Sequence, residues 1–192
     1  MNKFISMRIL LTGFSLLSLM SLSATSSFSS ESNIETLIES CVVCHNAAGS
    51  ASPNLAGQKR DYMIERINIF RDKPDLNVSM FPFVQNLSDS EIEAIAEHFS
   101  LLEPVTSANG DAEKVKRGEQ ASAYCLACHG VRGKSANSEW PNLAGQNSSY
   151  LYQQLKAFRD GTRDNLMMKT IVKDYDDEYL KALASYYSQL KP

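Results

Sequence analysis

Two motifs of the form Cys-X-X-Cys-His constrain the fold of this 192-residue chain more than any other feature. The first contains Cys41, Cys44 and His45, and the second contains Cys125, Cys128 and His129. Together they account for all four cysteines in the sequence. Such a segment is the attachment signature for c-type haem, in which both sulfurs bond to the porphyrin edge and the histidine meets the iron.

Two other uses of these cysteines agree less well with the sequence. Cysteines three positions apart on a helical turn make a poor disulfide framework, even in an oxidising compartment. A zinc site would need a fourth ligand near each motif, and the only other histidine is His98. We therefore predict two covalent haem c groups per chain, with His45 and His129 as the proximal ligands of the irons.

A longer internal repeat surrounds the two motifs. The hexapeptide Pro-Asn-Leu-Ala-Gly-Gln occurs unchanged at residues 53–58 and 141–146, a shift of 88 positions. The histidines of the motifs are only 84 positions apart, so the second copy has four extra residues before its proline. This pattern predicts a tandem duplication of two small domains, residues 31–102 and 112–192, joined by a linker at 103–111.

Hydrophobic residues recur at helical spacing in both copies, and no segment shows the alternation typical of a strand. A capping box is predicted at Ser88 and Glu91. The predicted helices cover residues 33–43, 59–71, the segment that begins at 89, and residues 112–127, 146–160 and 175–190. Each copy has about 80 residues, which is small for an independent apolar core. We therefore expect an all-α fold in which each domain is wrapped around its haem.

One methionine in each copy is the candidate for the second axial ligand. Met80 lies in a proline-flanked stretch, and Met168 follows it at the shift of 88. A thioether opposite histidine raises the reduction potential and closes the iron to other ligands. We predict Met80 and Met168 as ligands, with Met167 as the alternative in the second copy. The backbone carbonyls of Pro53 and Pro141 are candidates to accept a hydrogen bond from the proximal histidines.

Residues 1–30 have the features of a secretory signal peptide. Two basic residues precede an apolar run at 9–22, and small residues follow, with cleavage expected between Ser23 and Ser30. The run has roughly 14 residues, whereas a membrane-spanning helix needs about 20. We therefore predict export to the periplasm, where the protein could also associate peripherally with the outer face of the inner membrane. A retained anchor is the alternative.

The charge of the predicted mature chain excludes one class of partner. Residues 31–192 carry 17 basic and 22 acidic side chains, a formal charge of −5. A nucleic-acid-binding protein needs a basic face, so we expect no nucleic-acid partner.

Taken together, these motifs resemble the dihaem cytochrome c4 family over essentially the whole mature chain. The resemblance depends on the twin haem motifs, the twin hexapeptides, and the positions of Met80 and Met168. It implies two class I cytochrome c domains packed face to face, with His/Met ligation at both irons. One departure is that the second copy has Tyr-Asp-Asp at 175–177 where the first has Leu-Ser-Asp at 87–89.

The resemblance also implies a function. Members of this family carry electrons on the periplasmic side of the membrane and are not enzymes. Their partners are membrane-bound or soluble redox proteins: a quinol-oxidising complex or dehydrogenase as donor, and a terminal oxidase as acceptor. Two alternatives stay open, a cytochrome subunit of a flavocytochrome or dehydrogenase complex and a dihaem peroxidase. A peroxidase needs an open iron site, against which the two methionines argue.

Overall fold

The structure, a computed structural model, describes residues 28–45, 52–104 and 111–191, with side chains from residue 34 onward. The predicted signal peptide up to residue 27, residues 46–51, most of the predicted linker and Pro192 lie outside the described residues. The described part consists of helices and connecting loops and contains no strand, which confirms the predicted all-α fold. Among its helices, none combines the length and the apolar character that crossing a membrane requires.

The first half of the chain packs its helices around a small apolar core. Its helices are α1 (Phe28–His45), α2 (Arg60–Asp72), α3 (Phe81–Val84) and α4 (Asp89–Leu101). The core is formed by Met63 of α2 and by Ile95, Ala96 and Phe99 of α4, against which the inner face of α1 packs. The predicted capping box begins α4: the Glu91 amide donates to Ser88 Oγ at 3.3 Å, and Ser88 donates its own amide to the Glu91 carboxylate at 2.8 Å.

The second half repeats this arrangement, except that the helical segment before its motif is interrupted by a turn. Its helices are α5 (Ala112–Ala121), α6 (Leu126–His129), α7 (Ser148–Asp160), α8 (Leu166–Val172) and α9 (Asp177–Gln189). The single helix predicted for 112–127 is wrong, because a 3-10 turn at Ser122–Tyr124 separates α5 from α6. Helix α5 crosses α9 closely at Gly118, where a Cβ atom would collide with the backbone of Ala182. Leu183, Ala184 and Tyr187 of α9 are buried in the core.

An arginine clamp joins α2 to the start of α4 in the first half, and α7 to the start of α9 in the second half. Arg71 Nη1 donates to Asp89 Oδ1 at 2.8 Å and to the carbonyl of Leu87 at 3.1 Å. In the second half Arg159 Nη1 makes the same two bonds, to Asp177 Oδ1 at 2.8 Å and to the Tyr175 carbonyl at 3.1 Å. The segments 87–89 and 175–177 are therefore equivalent although their sequences differ.

The clamp of the second half should make stability depend on pH. Hydrogen bonds from Arg159 and Tyr152 hold the pKa of Asp177 below its ordinary value of 3.8. A carboxylate with a depressed pKa stabilises the fold above its unfolded-state pKa, and this contribution disappears as the pH falls through the folded-state pKa. Asp177→Asn is therefore expected to lower the free energy of unfolding at pH 7, with a deficit that shrinks below about pH 4.

Denaturant unfolding of the haem-loaded protein at a series of pH values measures this deficit. Asp174→Asn is the matched control, because that side chain is 85% exposed and lies 4.0 Å from its nearest cation, Lys173. If the free energy of unfolding of Asp177→Asn stays below that of the wild type by a constant amount down to about pH 3, the depressed pKa of Asp177 is contradicted.

The repeated hexapeptide holds the two halves together. The side chain of Gln146 spans the backbone of Asn54: its Oε1 accepts from the Asn54 amide at 2.7 Å, and its Nε2 donates to the Asn54 carbonyl at 2.9 Å. Asn54 Nδ2 also donates to the carbonyl of Gly145 at 2.9 Å.

The same contacts occur in the reverse direction. Gln58 Oε1 accepts from the Asn142 amide at 2.8 Å, and Gln58 Nε2 donates to the Asn142 carbonyl at 3.0 Å. Asn142 Nδ2 donates to the carbonyl of Gly57 at 2.9 Å. The two copies of one sequence thus bind each other about a local pseudo-twofold axis.

Candidate haem sites

The first motif lies on the last turn of α1. Cys41 packs against the core of the first half, where burial raises the pKa of its thiol, and Cys44 is exposed. His45 Nδ1 lies 2.9 Å from the carbonyl oxygen of Pro53. Because a carbonyl oxygen can only accept, Nδ1 carries the proton, which leaves the lone pair of Nε2 for a metal ion.

The second motif has the same arrangement at α6. His129 is 8% exposed, and its Nδ1 lies 2.9 Å from the carbonyl oxygen of Pro141. Burial lowers the pKa of His129, and the hydrogen bond to Pro141 opposes this shift. The neutral imidazole is the form that binds metals. The predicted acceptor role of both proline carbonyls is confirmed.

The two methionine segments are positioned by equivalent asparagines. Asn77 Oδ1 accepts from the amide of Met80 at 3.2 Å, and Asn165 Oδ1 accepts from the amide of Met168 at 2.9 Å. Met80 lies in a turn within the proline-flanked stretch, directly before α3, and Met168 lies in the first turn of α8.

The alternative ligand in the second half, Met167, lies nearby. Its Sδ is 4.0 Å from Cys128 Sγ, which brings the start of α8 beside the second motif. Met167 is 55% exposed, whereas Met168 packs against the cluster that contains Val172 and Leu180. The asparagine hydrogen bonds place Met168, not Met167, in the position equivalent to Met80.

The surroundings of both motifs fit a large, flat apolar group. Several apolar side chains near the motifs and the methionines are more than half exposed: Val43, Leu76, Val78 and Phe83 in the first half, and Tyr124, Val131, Leu166 and Met167 in the second. Exposed apolar side chains beside both motifs agree with a binding surface, and contact with a porphyrin would bury them. A bound haem supplies one-electron chemistry, since its iron alternates between the ferrous and ferric states.

A polar cluster between the halves contains two tyrosines that the repeat marks and two arginines that could not be predicted from the sequence. Arg163 donates from Nη2 to the hydroxyl of Tyr62 at 3.0 Å, across the boundary between the halves. Burial and the nearby charge of Arg163 lower the pKa of Arg66, and burial raises the pKa of Tyr150. Two partly buried guanidinium groups beside two phenols fit carboxylates, which a haem carries as its propionates.

Only half of this cluster left a signal in the sequence. Tyr62 and Tyr150 are related by the shift of 88, so the repeat marks them. At the same shift of 88 positions, Arg66 corresponds to Gln154 and Arg163 corresponds to Asp75. Neither arginine is therefore repeated in the other half.

Two family patterns match the chain, one in each half. The family described as cytochrome c matches residues 115–191. The family described as cytochrome c oxidase, cbb3-type, subunit III matches residues 35–99.

Similar proteins cover most of the chain. Cytochrome c-552 of Acidithiobacillus ferridurans is 34% identical over 78% of this chain and 73% of its own length. The thiosulfate dehydrogenase electron acceptor of Stutzerimonas stutzeri is 32% identical over 78% of each chain. Cytochrome c4 of Pseudomonas aeruginosa is 30% identical over 78% of this chain and 83% of its own.

The fold is also found in a solved structure. The structure of cytochrome c4 from Acidithiobacillus ferrooxidans superposes with a TM-score of 0.72 at 31% identity, covering 79% of this chain and 99% of that one.

Proposed function

The chain belongs to the dihaem cytochrome c4 family, electron-transfer proteins with two covalent haem c groups, and from this premise we propose that it carries electrons in the periplasm towards a terminal oxidase. The observation that carries the proposal is the duplication of both axial environments. Each half has a histidine hydrogen-bonded to a proline carbonyl at 2.9 Å and a methionine whose amide is bound by an asparagine.

The proposal assigns each site residue a role. The haem of the first half would be attached through Cys41 and Cys44 and held by His45 and Met80, and that of the second half would be attached through Cys125 and Cys128 and held by His129 and Met168. The Pro53 and Pro141 carbonyls hold the imidazole rings in one tautomer, which orients Nε2 towards the iron. Arg66 and Arg163 would neutralise the haem propionates at the interface.

Methionine ligation at both irons would support a carrier and not an enzyme. A peroxidase must bind its substrate at an iron with an exchangeable ligand, whereas two thioether ligands would leave no such position. The proposed function is therefore to accept electrons from one redox protein and to pass them to another.

The name of one relative supports a dehydrogenase as the donor. A protein 32% identical to this chain is named a thiosulfate dehydrogenase electron acceptor. We therefore propose as a second candidate that the chain accepts electrons from a dehydrogenase of an inorganic sulfur compound, in place of a quinol-oxidising complex.

Reduction and reoxidation of the haem-loaded protein test the proposed electron donors and the proposed electron acceptor. The oxidised protein is mixed either with thiosulfate dehydrogenase and thiosulfate or with membranes that contain a quinol-oxidising complex and quinol, and haem reduction is followed optically. Membranes with a terminal oxidase are then added under air. We expect fast reduction by one donor and cyanide-sensitive reoxidation. Absence of reoxidation, or binding of carbon monoxide by the freshly reduced protein, would contradict the carrier.

A further inference from the structure

One peptide group lies between the proximal histidine of the first half and a side chain of the second. Its carbonyl, from Pro53, accepts from His45 Nδ1 at 2.9 Å. Its N–H, from Asn54, donates to Gln146 Oε1 at 2.7 Å. The two hydrogen bonds therefore share a single conjugated amide, with His45 on one side of the domain boundary and Gln146 on the other.

The second half contains the equivalent pair of hydrogen bonds, related by the pseudo-twofold axis. The Pro141 carbonyl accepts from His129 Nδ1 at 2.9 Å, and the amide of Asn142, in the same peptide group, donates to Gln58 Oε1 at 2.8 Å. Each histidine is thus connected through one peptide to a glutamine of the opposite half.

Both glutamines are buried, which strengthens the influence of their hydrogen bonds on the peptide group. Gln58 is 8% exposed and Gln146 is 6% exposed, so water competes little for their bonds. Hydrogen bonds in series polarise one another, more strongly where the local dielectric constant is low. A donor hydrogen bond from the peptide N–H therefore increases the negative charge on its carbonyl oxygen.

We propose that Gln146 tunes the iron of the first half and Gln58 the iron of the second, each across the domain interface. The inference rests on the proposed ligation by His45 and His129. A more negative carbonyl strengthens the bond from Nδ1–H and makes the imidazole a stronger donor to the iron. Stronger donation stabilises the ferric state. Each glutamine therefore lowers the reduction potential of the haem in the opposite half.

Gln146→Met removes the acceptor while keeping a side chain of similar length. In the haem-loaded protein we expect the potential of the first haem to rise and that of the second to change less. Haem methyl NMR signals at stepwise oxidation resolve the two potentials. In the reduced, diamagnetic protein the Nδ1–H resonance of His45 should move upfield, as for a weaker hydrogen bond, while that of His129 stays in place. Gln58→Met should give the mirrored result.

Gln146→Glu distinguishes tuning from loosening of the interface. A carboxyl group keeps an oxygen at the acceptor position in either protonation state, so the potential of the first haem should stay at or below the wild-type value. Asn54→Ala is the matched control: it removes the interdomain bond to Gly145 but leaves the Asn54 amide on Gln146. It should leave the His45 resonance in place. If Gln146→Met does not retain both haems, the comparison of Gln146→Glu with Asn54→Ala provides the test.

The outcomes separate this inference from the proposed function. If wild-type spectra show that either iron lacks its histidine or methionine, the proposed ligation fails. If ligation is intact but the shifts follow the half that carries the substitution, are equal for both haems, or also appear in Asn54→Ala, the cross-domain tuning is overturned.

Discussion

Replacing Met168 with histidine is expected to lower the reduction potential of one haem by on the order of a tenth of a volt or more, since axial ligands set haem potentials over a range of about 0.8 V. A thioether favours the ferrous ion, whereas an imidazole donates more strongly and favours the ferric ion. The other haem should keep nearly its wild-type potential, because its own ligands are unchanged. An optical redox titration should therefore resolve two well-separated steps. Met80→His should give the same separation with the order of the haems exchanged.

The neighbouring methionine provides the control for this experiment. Met167→Leu removes a thioether beside Cys128 but leaves the hydrogen bond from Asn165 to Met168. It should leave both potentials and both ferric methionine–iron absorption bands unchanged. If Met167→Leu abolishes one of these bands while Met168→His leaves the titration intact, Met167 is the ligand of the second haem.

Loss of covalent attachment in the second half is expected to have the largest effect on folding. In the double variant Cys125→Ser, Cys128→Ser, mass spectrometry should find one haem per chain. The second half should lose most of its helical signal in circular dichroism. A unit of about 80 residues has a small apolar core, so we expect much of its stability to come from the cofactor. The exposed side chains at Val131 and Leu166 would then have nothing to cover them.

The equivalent double variant of the first motif is compared with this variant. Cys41→Ser, Cys44→Ser should remove the other haem and destabilise the helices of the first half instead. A second half that lacks haem but keeps its native helix content and unfolds cooperatively would show that its core is sufficient alone.

The features that could be predicted from sequence are those determined locally or by the repeat. The capping box at Ser88 is a short-range pattern, and the structure contains it. The bonds from His45 and His129 to proline carbonyls follow from motif chemistry and from the proline that begins the hexapeptide in both copies, although the proline comes 8 residues after the histidine in the first copy and 12 in the second. The repeat also paired Met80 with Met168, and the structure gives both the same asparagine partner.

The features that could not be predicted depend on how distant segments meet. Helix α5 ends at Ala121 because the following residues form a 3-10 turn before the second motif, and periodicity alone does not distinguish such a turn from a continuous helix. The approach of Arg163 to Tyr62 spans 101 positions, and neither arginine of that cluster is repeated. The identity of the two hexapeptides marked them as important but did not indicate that each would bind the other.

The reciprocal pairing of the two hexapeptides has a consequence beyond this chain. A surface in which position 54 meets 146 and position 58 meets 142 is isologous, so each half already carries the complement of its own contact surface. A single-haem ancestor with this hexapeptide could therefore have assembled as a symmetric homodimer before any gene fusion. Duplication would then have made that assembly permanent by joining the subunits.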